Sequence, residues 1–171
     1  MGWREVFFYM VAGVMFFIIM PLVCYMIAIY FPYPILDNYK NYLCGFGIVM
    51  ILVGVTFSIL ANVSLIKVGK GGAGVFGKIK LMKETEHLVT KGVYSFCRNP
   101  MHLGLILFYC GLALIFNSLS AMSVAFLTLI FAYISALYCD EPRLKHDFKE
   151  EYVAYCKKVG RFLPYITKRT S

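Results

Sequence analysis

Charge is scarce in this chain, and acid is scarcer than base. Charged residues make up 15% of the 171, with nine Asp and Glu against 17 Lys and Arg. Soluble domains carry about 25%, so an ordinary free-standing globular domain is excluded. Cysteine pairs at metal-binding spacing are also lacking. The six cysteines stand apart at 24, 44, 97, 110, 139 and 156, and with the three histidines they form no zinc pattern. They read as reduced thiols, and no metal is expected. No internal repeat stands out.

What the chain has in place of charge is apolar surface. It is 60% hydrophobic and 17% aromatic, with a mean hydropathy of +0.72, the composition of an integral membrane protein. The net charge of +8 lies mostly beside apolar runs. It therefore speaks for membrane orientation, and nucleic acid is not an expected partner.

An uncharged run at 6–31 contains Pro21, where a kink is expected. It is too long for a signal-peptide core and no small-residue cleavage site follows it, so it reads as a retained transmembrane helix. Residues 32–41 form a short connection with Pro32 and Pro34 as breakers. A second span, 42–66, carries Gly45, Gly47 and Gly54, which permit close helix–helix approach. Residues 67–98 form the one long polar loop. Two apolar runs follow, 101–116 and 119–138, separated only by Asn117 and Ser118. The first is short against the roughly 20 residues of a full crossing, so the pair reads as a tight helical hairpin. Of the 17 Lys and Arg, sixteen lie at the N-terminus, in the long loop or in the tail 139–171, and only Lys40 lies elsewhere. The expected fold is all-α and integral to the membrane. It has four transmembrane helices, the last two a hairpin, with both termini and the long loop cytosolic. One membrane domain, 1–171, would comprise two spans (1–66), a loop (67–98), and the hairpin with its tail (99–171).

Gly72-Ala73-Gly74-Val75-Phe76-Gly77 matches G-x-G-x-x-G literally, but it follows a membrane helix and no βαβ unit surrounds it, so it reads as a juxtamembrane loop. In the tail, Leu144, Phe148, Tyr152, Tyr155 and Val159 recur at helical spacing as one apolar stripe, while Arg143, Lys145, Asp147 and Lys149 fall on other faces. That pattern gives a C-terminal amphipathic cytosolic helix. Its start carries Asp140 and Glu141; as a boundary alone, Asp is a good cap and Pro142 suits a first turn. Arg98 and His102 open the third apolar run, with Pro100 at a first helical position. A hairpin brings Arg98 and His102 to the same membrane face as Asp140 and Glu141. Basic and acidic groups converging there would suit a zwitterionic cofactor beside a lipid-borne substrate.

The order His87-Leu88-Val89, Gly92-Val93-Tyr94, Arg98-Asn99-Pro100-Met101-His102-Leu103-Gly104, Asp140-Glu141, Leu144, Phe148, Glu151-Tyr152, Tyr155 and Val159-Gly160-Arg161-Phe162-Leu163-Pro164 resembles one family. It is that of the membrane-embedded methyltransferases related to isoprenylcysteine carboxyl methyltransferase and the phospholipid N-methyltransferases. The resemblance covers the last half of the chain. This sequence departs from the family pattern in Asn99 for His, His102 for Tyr, Asp140 for the first Glu, Lys149 for Gly and Gly160 for Pro.

The resemblance implies S-adenosylmethionine as methyl donor and a lipid or prenylated substrate reaching it from the membrane. It places His87, Tyr94, Arg98, Asn99, His102 and Gly104 in the first part of the cofactor site, and Asp140, Glu141 and Tyr152 in the second. On that expectation Arg98 pairs the methionine carboxylate, and Glu141 takes the ammonium or the ribose. Gly104 lets the adenine approach a helix backbone. Tyr94 or Tyr152 faces the sulfonium. A carboxylate acceptor would be held by Arg161, whereas an amine acceptor would need His102 as general base. The alternatives are an NADPH-dependent membrane reductase of the steroid or enone type, and a member of the same fold without catalysis.

Overall fold

The structure is a computed structural model that describes residues 3–72, 75–76, 79–80, 83 and 85–165; of residues 4, 5, 75, 76, 79 and 80 it describes the backbone only. The helices are α1 (Trp3–Val14), α2 (Met20–Tyr30), α3 (Lys40–Lys67), α4 (Val93–Phe96), α5 (Pro100–Ile115), α6 (Leu119–Ser135) and α7 (Glu141–Lys158). The described strands, β1 (Val75–Phe76) and β2 (Ile79–Lys80), make one antiparallel pair of two residues each. Of the glycine motif, the described Val75 and Phe76 lie in this β-ribbon, whereas a dinucleotide loop opens a helix there.

Three helical stretches are long and apolar enough to cross a membrane: Val6–Tyr30, Asp37–Lys67 and Leu119–Lys158; Pro100–Ile115 is apolar but shorter. The chain forms two compact units, Met1–Thr56 with Gly104–Ile130, and Phe57–Leu103 with Phe131–Ser171. Neither unit follows chain order, because α3, α5 and α6 each contribute to both.

In the first unit, proline sets the helix geometry. Met15–Ile19 is a π turn joining α1 to α2, and it ends two residues before Pro21. Within it the Met20 N–H bonds to the Met15 carbonyl, five residues back. The Phe16 carbonyl would look to position 21 for its donor, and proline has none. The Tyr109 hydroxyl supplies the missing bond at 2.7 Å. A core of Cys24, Leu105, Tyr109, Ala113, Ala121, Val124 and Ala125 surrounds that bond.

Helices α3 and α5 approach through glycine. A Cβ on Gly47 would stand 2.6 Å from the Gly111 carbonyl oxygen, and one on Gly54 would stand 2.5 Å from that of Gly104. Each pair is seven residues apart and the order is reversed, so the contact is antiparallel. Gly45 meets nothing within 4 Å and has no such role.

The turn between α5 and α6 is a Schellman cap. Asn117 takes φ +46°, its N–H bonds to Leu114, and the Ser118 N–H bonds to Ala113. Ser118 then caps α6 through Oγ to the Ala121 N–H at 3.1 Å. The Asn117 side chain accepts from the Ile35 and Leu36 N–H groups and donates to Asp37. It ties the turn to the loop ahead of α3.

In the second unit, Ala61, Val89 and Tyr94 form one buried cluster, and Tyr152, Tyr155 and Val159 form another with Leu88, Leu144 and Phe148 packed against it. The apolar stripe of the tail therefore packs on the protein's own 88–94 segment. The expected break at Asp140 is absent. A second π turn, Ala136–Asp140, joins α6 to α7 and again ends two residues before a proline, Pro142. Asp140 has helical φ and ψ and makes no capping bond. The ordinary alternative for Asp140, a helix cap, is excluded on that ground, since a continuous helix leaves no free N–H groups to cap. Lys149, where the family pattern has Gly, takes φ +43° and kinks α7.

Candidate active site

All the side chains of the site lie in the second unit, and backbone pairing brings its two sequence segments together. The Arg98 N–H bonds to the Gly160 carbonyl at 2.9 Å, and the Asn99 N–H bonds to that of Arg161 at 3.1 Å. The Asn99 side chain reinforces this with Nδ2 to the same Arg161 oxygen at 3.2 Å. Asn99 also accepts the Leu103 N–H, so it starts α5 with Pro100 at the first helical position, as the sequence suggests. At the other end, the Tyr155 hydroxyl donates to the Tyr94 carbonyl at 2.5 Å.

Glu141 stands between two arginines. Arg161 forks onto it, Nε to Oε1 at 2.6 Å and Nη2 to Oε2 at 2.9 Å. Arg98 Nη1 lies 3.2 Å from the same Oε1. Arg161 also lies over the Tyr133 ring, 5.1 Å from its centroid. The side chains of Arg98, Glu141 and Arg161 are only 11%, 18% and 25% exposed, so the network is poorly screened. Burial alone would pull the Arg98 pKa down. Glu141, Tyr152 and Cys156 together more than offset that, and the value ends above the ordinary one. The hydrogen bond that Arg161 donates to Glu141 raises its pKa as well, against a smaller pull from burial. Arg98 also donates to Tyr152 and Cys156.

Beside this network is a cavity of about 100 Å³ whose lining includes His87, Tyr94, Arg98, Asn99, His102, Asp140 and Arg143. His102 is buried, with its ring edge-on to Phe131; His87 is exposed. The expected site residues thus fall into two neighbouring groups that share Arg98. His87, Tyr94, Asn99, His102 and Asp140 line the cavity, whereas Glu141, Tyr152 and Arg161 belong to the ion network and are not in its lining. Gly104 is not in that lining either; its carbonyl is the surface that Gly54 meets.

Arg143 was missed. Its Nε and Nη1 are buried with no hydrogen-bond partner among the described residues. It sits three residues after Asp140, on the same helix face, and that spacing is the signal that would have found it.

A family model described as phospholipid methyltransferase matches residues 42–151 of the chain. The chain belongs to the phospholipid methyltransferase family. Among similar proteins, the protein-S-isoprenylcysteine O-methyltransferase B of Arabidopsis thaliana is 29% identical over 127 residues, 73% of this chain and 61% of the relative. The protein-S-isoprenylcysteine O-methyltransferase of Saccharomyces cerevisiae is 35% identical over 91 residues, 52% of this chain and 37% of the relative. The corresponding protein of Rattus norvegicus is 30% identical over 126 residues, 74% of this chain and 43% of the relative. The chain therefore spans less than two thirds of the length of each. No solved structure matches it. The family match spans the loop, Arg98, the α5–α6 hairpin, Asp140 and Arg143, so the family's shared region contains every residue named in the cavity lining.

Proposed function

We propose that this chain is an integral membrane methyltransferase that uses S-adenosylmethionine to methylate the carboxylate of a lipid or isoprenoid-tailed substrate. The carrying observation is the cavity walled jointly by the Arg98–His102 segment and Asp140 in a chain of this family. The residues present fit the donor. One cavity holds a cation with unsatisfied nitrogens and an acid, Arg143 and Asp140, which suits the zwitterionic amino-acid end. A space of about 100 Å³ takes that end alone, since whole-ligand pockets run to roughly 300 Å³ or more.

When bound, the donor supplies a methyl group already activated on a sulfonium. The protein's share is alignment and exclusion of water. Glu141 braces Arg98 and Arg161, and Tyr94 is fixed by the hydroxyl of Tyr155. Three arginines, Arg98, Arg143 and Arg161, face two acids, Asp140 and Glu141, and an excess of cation favours an anionic acceptor. Arg161 is the candidate holder of that carboxylate. An amine acceptor would instead draw on His102 in the cavity lining as general base.

The test uses the purified chain in nanodiscs with donor labelled on its methyl group. It is offered either a farnesylated cysteine with a free carboxylate or a phospholipid bearing a primary amine. Label released by mild base from the farnesylated cysteine is the expected result, because an ester is base-labile. Stable label on the amine would reverse the choice of acceptor. Binding of NADPH with no binding of the donor would reject the methyltransferase reading altogether.

A further inference from the structure

The cavity contains a cation whose buried nitrogens no described residue satisfies. Arg143 has two guanidinium nitrogens, Nε and Nη1, buried and without a hydrogen-bond partner among the described residues. Leaving such donors unpaired costs about 1–3 kcal/mol each, and more when they carry charge, so the arrangement implies a partner from outside the chain. Arg98, the other cation in the lining, is differently placed. Its Nη1 is shared among Glu141, Tyr152 and Cys156, and of its nitrogens Nε alone is buried without a partner among the described residues.

We propose that Arg143 binds the carboxylate of the donor's amino-acid end while Asp140 faces its ammonium, and that Arg98 is a positioning residue tied to Glu141. This rests on the donor reading above and sharpens it. Asp140 and Arg143 line the same cavity, yet no hydrogen bond or ion pair of 4 Å or less joins them among the described residues. Opposite charges that share a small cavity without closing on each other are the complement of a zwitterion. Asp140 is free for this because the continuous α6–α7 helix gives it no N–H groups to cap. The space of about 100 Å³ matches an amino-acid group. Arg143 follows Asp140 by three residues in the helix, so both charges reach the cavity from one rigid element.

Two ligands isolate the amino-acid end: S-adenosylhomocysteine, which has it, and 5′-methylthioadenosine, which lacks it. Their binding to the nanodisc-embedded chain is measured by calorimetry for wild type, Arg143→Gln and Arg143→Lys. Arg143→Gln should weaken S-adenosylhomocysteine at least tenfold, or roughly 1.4 kcal/mol, and leave methylthioadenosine unchanged. Arg143→Lys, which keeps the charge, should lie between the two. Unchanged affinity for S-adenosylhomocysteine in Arg143→Gln overturns the proposal and leaves the donor reading standing. Equal loss of both ligands also overturns it, since that marks a collapsed pocket. A wild-type chain that binds neither ligand overturns the donor reading along with the proposal.

Discussion

Glu141 shows how a single carboxylate can carry a local structure. Its two oxygens take Arg161 through a fork and Arg98 through a longer contact. Each arginine comes from a segment that backbone hydrogen bonds hold against the other. Removing the charge while keeping the shape, as in Glu141→Gln, leaves two poorly solvated guanidinium groups facing each other. We expect a loss of about 2 kcal/mol in unfolding stability, because breaking a poorly solvated ion pair strands its partners. Denaturant unfolding in detergent measures it, and a wild-type midpoint would remove Glu141 from the role of brace. In the sequence Glu141 stands out as an acid at a helix junction, but its two arginine partners do not. Arg161 lies twenty residues further on, beyond the kink at Lys149, and only the return of the chain onto Arg98 brings it back. Arg143 is harder to read, because among lysines on a helix surface one more cation looks like solvated charge. Its three-residue spacing from Asp140 is the one mark in the sequence, and the burial of its nitrogens is what the fold adds.

The elements are joined by a device that occurs twice. A π turn ends two residues ahead of Pro21 and another two residues ahead of Pro142. A widened turn eases the proline ring past the preceding carbonyls and leaves carbonyls without donors. The kink at Pro21 is legible from the proline, whereas the continuity of α6 into α7 is not. Asp140 followed by Glu141-Pro142 has every local mark of a helix start, and tertiary packing of Tyr152 and Tyr155 holds the helix on through it. At the first π turn the orphaned Phe16 carbonyl is satisfied by Tyr109. Tyr109→Phe should therefore destabilise by about 1 kcal/mol in a lipid environment. In a Pro21→Ala background the new N–H can serve that carbonyl, and the same substitution should cost almost nothing. A double-mutant cycle in denaturant reads the coupling. Strictly additive costs would mean that the Tyr109 hydroxyl is not filling the vacancy left by proline.

For the whole molecule, the open question is how many times the chain crosses the membrane. Three stretches qualify by length and hydropathy, and the fourth, Pro100–Ile115, has 16 residues, about 24 Å of helix against roughly 30 Å of hydrocarbon. Two sets of polar contacts bear on the count. Asn117, in the turn after that short helix, is bonded to residues 35–37 ahead of α3. Arg98, before the short helix, is paired with Glu141, after α6. If α3 crosses, its two ends face opposite sides. A turn bonded to one end then requires the short helix to cross as well, and the Arg98–Glu141 pair brings the chain back. We expect that shared side to be cytosolic, from the excess of Lys and Arg in the loop and tail. Four crossings are therefore expected, with the short helix matched to the bilayer by local thinning or by its polar flanks at Arg98 and Asn117. Single cysteines, placed in a background lacking the native six, read the outcome by labelling with a membrane-impermeant thiol reagent. Cysteines at Leu119 and Asp37 should label from one side, and cysteines at Lys91 and Lys157 from the other. Labelling of position 119 from the same side as 91, with 157 from the same side as 37, would mean that the short helix does not cross, and that three crossings are the correct count.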